Sequence, residues 1–354
     1  MIDNKLFIGM DLHKNTSTFS VKDREGNIID ARKIATDPAT ITGFVKQFSG
    51  ASLAVEPVSQ WYFYADLMQK SGIDVHLANP LRVKAIASAR IKTDTIDAGV
   101  LCDLLRANLL PEAYFASLDV RFWKEMVRFR ASLIHLRTQV KNKIHSILFK
   151  NALRHPFTNL FGVAGRKWLS SLALDSHFTF NLERYLSLHD ALTNLIAEAD
   201  IKIKETVTDH PQALLLTSIP GISYISALTI MAEIGTIDRF PSAKKLMGYA
   251  GLVPSTYASG GITRHGRITK TGSRWLRWTM IEIAQRQLLC KKRPGFGWYY
   301  VRIKTRKGSG AAAVATARKL LAVVWRILKD QRPFEIIPPE WEVQEAHRKN
   351  IVSS

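Results

Sequence analysis

Cysteine is almost missing from this chain. There are two among 354 residues, Cys102 and Cys290, far apart and neither in a CxxC pair. That excludes a disulfide framework and a cysteine zinc site. Long apolar runs are missing too: none reaches the roughly 18 residues that a spanning helix needs. The opening Met1-Ile2-Asp3-Asn4-Lys5 lacks the basic-then-apolar pattern of a secretory signal, so the expectation is a soluble, cytoplasmic protein with no membrane partner. Acid is in deficit, with 30 Asp+Glu against 50 Lys+Arg and a net charge of +20. So large an excess calls for a polyanionic partner, for which nucleic acid and an anionic membrane surface are the main candidates. The apolar share of 46% and charged share of 23% are those of an ordinary globular protein. The length suffices for two domains with separate cores.

The first hundred residues alternate strand and helix patterns. Leu6 to Asp11 reads as a short apolar strand ending in an acid, and Thr16 to Val21 and Ile28 to Ile34 follow across short turns as an antiparallel meander. Asp37-Pro38 caps a helix through Phe48, and Ala51 to Pro57 is a second buried strand closing on an acid, Glu56. A helix over Gln60 to Lys70, a strand over Ile73 to Leu77 and a helix over Leu81 to Ala89 come next. The last helix of the series opens in Lys92-Thr93-Asp94-Thr95-Ile96-Asp97-Ala98 and runs to Arg106. The order is β-β-β-α-β-α-β-α.

Four acids stand at telling places in that order. Asp11 and Glu56 end two strands, and Asp94 and Asp97, three apart, share one face of the late helix. Singly, each has an ordinary explanation; acids at a helix start, for instance, are favoured by the helix dipole. Together they form a carboxylate cluster that repels itself unless a cation binds. Hard oxygen ligands suit Mg²⁺ or Mn²⁺, and a pair of such ions can clamp a phosphoryl displacement. His13 and Lys14 are candidates for phosphate contact at the mouth of such a site, as are Arg90 and Lys92, with a solvated surface as the alternative.

From Pro111 the character changes. Leu118 to Leu153 is a long amphipathic helix with Arg121, Lys124, Arg128, Arg130, Arg137 and Lys141 on its polar faces. Phe180 to Thr206 is a second, more acidic helix that can pair antiparallel with it as a coiled-coil arm. The predicted organisation is 1–110 for the α/β domain, 111–209 for a helical insert, 210–330 for a mainly α C-terminal domain and 331–354 for an irregular tail. In that C-terminal domain, Leu214 to Ile234 has the form of a helix-hairpin-helix around Pro220-Gly221, in which Gly221 and its neighbours offer backbone N–H groups to a phosphate. Ser255 to Gly272, STYASGGITRHGRITKTG, reads as a flexible loop of hydroxyls and cations, with Arg264, Arg267, Lys270 and the following Arg274 suited to phosphate contact. It holds a candidate nucleophile, Ser259, followed by Gly260-Gly261, which lets a backbone approach closely; Ser255 and Ser273 compete for that role.

The sequence resembles the DEDD transposases of insertion sequences, the group that includes the Piv and MooV invertase-like recombinases. The residues that carry the resemblance run through nearly the whole chain in order: Gly9 to Lys14, Ala54 to Pro57, Lys92 to Ala98, Ile219 to Ile222, Glu233 to Gly235, Gly251 to Pro254, Ser259-Gly260, Lys270 to Gly272, Leu276-Arg277 and Ala317 to Leu321. The resemblance implies a ribonuclease H-like (RuvC-like) N-terminal domain whose Asp11, Glu56, Asp94 and Asp97 hold Mg²⁺, and a C-terminal transposase domain whose Ser259 attacks a DNA phosphate to give a phosphoserine link. It also implies donor and target DNA selected by a structured bridge RNA, and a homo-oligomer, dimer or tetramer, working at the bacterial nucleoid.

Two other readings compete. A metal-dependent junction endonuclease would hydrolyse DNA with water and keep cleaving after Ser259→Ala. A non-catalytic nucleic-acid-binding protein would keep all its properties after Asp11→Ala. A sugar-kinase-like phosphotransferase is disfavoured, because no glycine-rich phosphate loop follows Asp11.

Overall fold

A computed structural model describes residues 5–86, 93–259, 262–290 and 296–335. The chain divides into two compact units, Met1–Ala116 and Ser117–Ser354.

The first unit is built on a five-stranded sheet. Strand β1 (Phe7–Leu12) pairs antiparallel with β2 (Thr16–Lys22), which pairs antiparallel with β3 (Ile28–Ala35). Helix α1 (Pro38–Val45), with Asp37 as its N-cap, leads to β4 (Ser52–Val55); α2 (Trp61–Lys70) leads to β5 (Asp74–Leu77). Strands β4 and β5 add in parallel on the other side of β1, giving the order β3-β2-β1-β4-β5. Helices α3 (Pro80–Ile86) and α4 (Asp94–Arg106) complete the unit. The meander and the order of elements are those expected from the pattern; β1, however, runs one residue past Asp11, because Leu12 still pairs with Ser17.

Strand period sorts the core into two layers. Ile8, Met10 and Leu12 of β1 point into a fully buried cluster with Phe19, Leu53, Phe44 and Met68, covered by α1 and α2. The alternate residues Phe7 and Gly9 face the other way. There Leu101, Leu104 and Leu105 of α4 pack over Phe7 and Ala54.

The second unit is mostly helical. Helices α5 (Leu118–Lys150) and α7 (Ser176–Thr208), 33 residues each, flank the short α6 (Val163–Ser170). They run antiparallel: Met126 meets Thr206, Arg130 pairs with Asp200 and Arg137 with Thr193, so the partner number falls as the first rises. Leu133, Val140, Ile144 and Ile147 are buried against Leu182, Leu186, Leu192 and Ile196. Next come α8 (Pro211–Leu216) and α9 (Tyr224–Ile234), the latter buried at every residue from Ala227 to Ile234. A helix apolar all round belongs at the centre of its unit. Its one acidic side chain, Glu233, is 5% exposed and is met by Arg128 Nη2 at 3.1 Å and the Ser273 hydroxyl at 2.8 Å. Those partners offset the cost of burying an acid and tie α5 and Ser273 to α9.

After α10 (Ala243–Tyr249), the stretch expected to be a flexible loop is a hairpin instead: β6 (Pro254–Ser259) pairs antiparallel with β7 (Ile262–Ile268). β-Formers such as Thr256, Tyr257, Ile262 and Thr263 flank Gly260-Gly261, a strong two-residue hairpin signal. Helices α11 (Arg274–Arg286) and α12 (Phe296–Asp330) follow, and α12 is interrupted at Gly308, φ 80°. Much of the expected irregular tail, from residue 336, lies outside the described residues.

Candidate functional site

The acids of the first unit are brought together by a glycine. A Cβ on Gly9 would lie 1.9 Å from the Ala98 carbonyl oxygen and 2.6 Å from the Cys102 nitrogen, so α4 rests directly on the backbone of β1. One turn further on, the Cys102 thiol donates to the Phe7 carbonyl at 3.2 Å. The helix therefore runs antiparallel to the strand, with Cys102 over Phe7 and Ala98 over Gly9. Four residues of helix rise about 6 Å, close to the ~6.6 Å of two residues of strand. The next step along both elements brings Asp94 to Asp11.

The observed contacts agree. Carboxylate oxygens of Asp11 and Asp94 and a ring nitrogen of His13 all lie within 4.8 Å of one another, a group able to hold a metal ion. His13 Nε2 is 3.0 Å from Asp11 Oδ2 and 3.6 Å from Asp94 Oδ1. Lys33 Nζ donates to Asp94 Oδ2 at 2.8 Å. Lys33 arrives by register: Asp11 pairs with Thr18, and Thr18 pairs with Lys33, so the three side by side share one face of the sheet. Thr93 caps α4 by accepting from the Ile96 amide at 3.3 Å, which sets Asp94 and Asp97 in the first turn.

Electrostatics separates the two aspartates. Burial raises the Asp11 pKa above the usual carboxylate range; the His13 ring opposes this, while the charges of Asp94 and Asp97 add to it. The Lys33 hydrogen bond, with its charge, holds Asp94 below that range. Asp97 is thus close enough to act on Asp11, although it lies outside the three-residue group. Glu56 also lies outside it. Its backbone follows β4, whose register of Gly9 with Ala54 and Met10 with Val55 leaves Glu56 abreast of Asp11. Cys102, beneath the cluster, is a packing residue: burial pushes its thiol up to about 11.

His13 was a candidate for phosphate contact from its position after Asp11, not a partner of the acid. Lys33 carried no motif; counting register across two short turns was the signal that could have found it. Arg90 and Lys92 lie outside the described residues.

The candidate residues of the second unit fall on the hairpin and its neighbours. Ser259 is the last residue of β6, its backbone paired with Ile262; its side chain, like Gly260 and Gly261, lies outside what is described. Arg264, Arg267, Lys270 and Arg274 are all exposed. Ser255 and Ser273 have structural duties. The Ser255 hydroxyl donates to the Arg267 carbonyl at 3.2 Å across the hairpin, and Ser273 caps α11 besides bonding Glu233. Gly221, at φ 88°, is half-buried under Gln287, whose amide donates to the Pro220 carbonyl at 2.7 Å.

An α/β unit with clustered carboxylates is thus joined in one chain to a basic, mostly helical unit. A DEDD-type transposase family model matches residues 8–150, and the model of the transposase IS116/IS110/IS902 family matches residues 213–300. The chain is 26% identical over 332 residues to the transposase for insertion sequence element IS1328 of Yersinia enterocolitica, covering 91% of this chain and 96% of the relative. It is 24% identical over 340 residues to the transposase for IS1111A of Coxiella burnetii, covering 92% and 90%. With the pilin gene-inverting protein of Moraxella bovis it shares 26% identity over 266 residues, 74% of each. The chain carries transposase domains of the IS110/IS116/IS902 family and is a DNA transposase.

Proposed function

We propose that this transposase cuts and rejoins DNA through a covalent serine intermediate, with Asp11, Glu56, Asp94 and Asp97 of a RuvC-like domain holding Mg²⁺ or Mn²⁺. The observation that carries the reading is the convergence of Asp11 and Asp94 where α4 rests on Gly9. The donor set fits a hard divalent cation: two carboxylates come together, burial has raised the pKa of Asp11, and a lysine ammonium and a histidine ring lie against them. A bound ion there supplies Lewis-acid stabilisation of charge on a phosphate. Asp11 and Asp94 hold the donors in place, and Lys33 and His13 orient them.

The nucleophile is Ser259. Its hydroxyl oxygen forms a bond to phosphorus as the bond to the leaving strand's oxygen breaks; the serine proton passes to solvent and the leaving oxygen takes one up. The phosphoserine keeps the bond energy, so a free DNA hydroxyl can reverse the step on a new partner without ATP. What supports Ser259 over its neighbours is the structural employment of Ser255 and Ser273. Arg264, Arg267, Lys270 and Arg274 bind the DNA backbone, and the turn at Gly221 adds a helix-hairpin-helix contact. A structured bridge RNA selects donor and target, and a homo-oligomer performs the exchange at the nucleoid. In functional terms the acids belong to 1–110, a coiled-coil arm to 111–209, the serine to 210–330 and a tail to 331–354.

Incubating purified protein with DNA carrying the element's ends, then denaturing it, tests the reading. A protein–DNA adduct that maps to Ser259 and is lost with strand exchange in Ser259→Ala is the expected result. Cleavage without an adduct that persists in Ser259→Ala would establish hydrolysis by water instead.

A further inference from the structure

The start of α11 and the middle of α5 line an open groove of about 570 Å³ that the acid cluster and the serine hairpin do not use. Its walls are the Trp275 and Trp278 rings on one side and Ala131 and Ile134 on the other, with Arg130 and Arg274 at its rim. Helical spacing explains the faces: Ala131 and Ile134 are three apart on α5, and Trp275 and Trp278 three apart on α11. The indole rings stand edge to face, centroids 6.0 Å apart. Trp278 is 53% exposed, an unusual position for so large a ring in a folded unit. Arg128 lies over Trp275 at 6.0 Å. Arg130 is neutralised by Asp200, but Arg274 is exposed and makes no ion pair among the described residues.

We infer that this groove binds unpaired DNA, stacking a base on Trp278 while Arg274 meets the adjoining phosphate. An indole face and a cation side by side suit a nucleotide, and stacking platforms in basic grooves are how proteins hold single strands without reading sequence. The cavity accommodates a flat ring and not a duplex. Charge selects among occupants: Arg274 leaves the lining with a positive charge, in a chain of net charge +20, which disfavours a second copy of this chain. Strand transfer supplies the occupant, since a strand that moves to a new partner has to leave its old complement first. The inference rests on the chain acting on DNA, not on the identity of the nucleophile.

Fluorescence anisotropy with a dye-labelled 12-nucleotide DNA strand, the same sequence as a duplex, and the same sequence as RNA tests it. Trp278→Ala, checked for folding by circular dichroism, is expected to weaken single-strand binding roughly 5- to 100-fold, with Trp278→Phe in between. Duplex binding is expected to change less than about twofold, as stacking is not available within a paired helix. Unchanged single-strand affinity, equal loss on the duplex, or tighter binding of the RNA through Trp278 would each overturn the proposal. So would a change in sedimentation of Trp278→Ala, which would make the groove an interface between copies. The adduct at Ser259 is scored separately on duplex DNA, so failure of the groove and failure of the serine reading are told apart.

Discussion

Asp11 and Asp94 face each other, yet they contribute to stability with opposite signs. A carboxyl whose pKa is raised on folding binds more protons in the native state than in the unfolded one. Asp11 therefore costs stability as pH rises through and above the ordinary carboxylate range. Asp94, lowered by Lys33, contributes stability above that range and loses it on acidification. At neutral pH without divalent ions, Asp11→Asn is expected to keep or raise Tm, whereas Asp94→Asn lowers it. Adding Mg²⁺ or Mn²⁺ is expected to raise the Tm of the wild type and to leave Asp11→Asn unmoved, and both variants lose strand cleavage. Differential scanning fluorimetry across pH and metal concentration checks the Tm shifts, and a DNA-cleavage assay the loss of activity; a metal shift of equal size in Asp11→Asn would remove Asp11 from the ligand set.

Among elements, the contact of α4 with β1 decides whether the site exists. Gly9→Ala puts a methyl into the Ala98 carbonyl, backbone against backbone, with no flexible side chain to give way. Overpacking of this kind costs about 1–3 kcal/mol, and the helix has to rise from the strand, carrying Asp94 from Asp11. The expected outcome is a lower Tm together with weakened metal binding, measured by calorimetric titration; full metal affinity in a folded Gly9→Ala would show that the cluster tolerates a displaced helix. Nothing local in Gly9-Met10-Asp11 announces this contact. The strands and helices themselves were legible, since period-2 and period-3.6 patterns with their caps are local properties. The stretch Pro254–Ile268 is a hairpin and not the expected loop, because the β-formers around Gly260-Gly261 outweigh its cations and hydroxyls.

For the molecule as a whole, the excess of 20 positive charges dominates its encounter with DNA. Binding is expected to weaken linearly in log K against log salt, with a slope of about −0.9 per phosphate neutralised. Replacing Arg264, Arg267 and Lys270 together by alanine is expected to reduce that slope by about 3, uniformly across DNA sequences. Anisotropy at several salt concentrations measures it, and an unaltered slope would take the hairpin out of the DNA interface.

The sequence by itself determined the element order, the basic charge, the absence of a disulfide scaffold, and which acids and hydroxyls are candidates for chemistry. These follow from composition, period and motif, which act over a few residues at a time. Only the tertiary structure decided which candidates meet. Asp11 and Asp94 are 83 positions apart and bring their carboxylates within 4.8 Å because a missing Cβ at Gly9 lets α4 sit on β1. Lys33 joins them because two turns fix a register. The tryptophans of α11 line a groove because Glu233, buried in α9, holds Arg128 of α5 and Ser273 at the start of α11. Close approach, strand register and buried charge are long-range constraints, set by packing among distant segments.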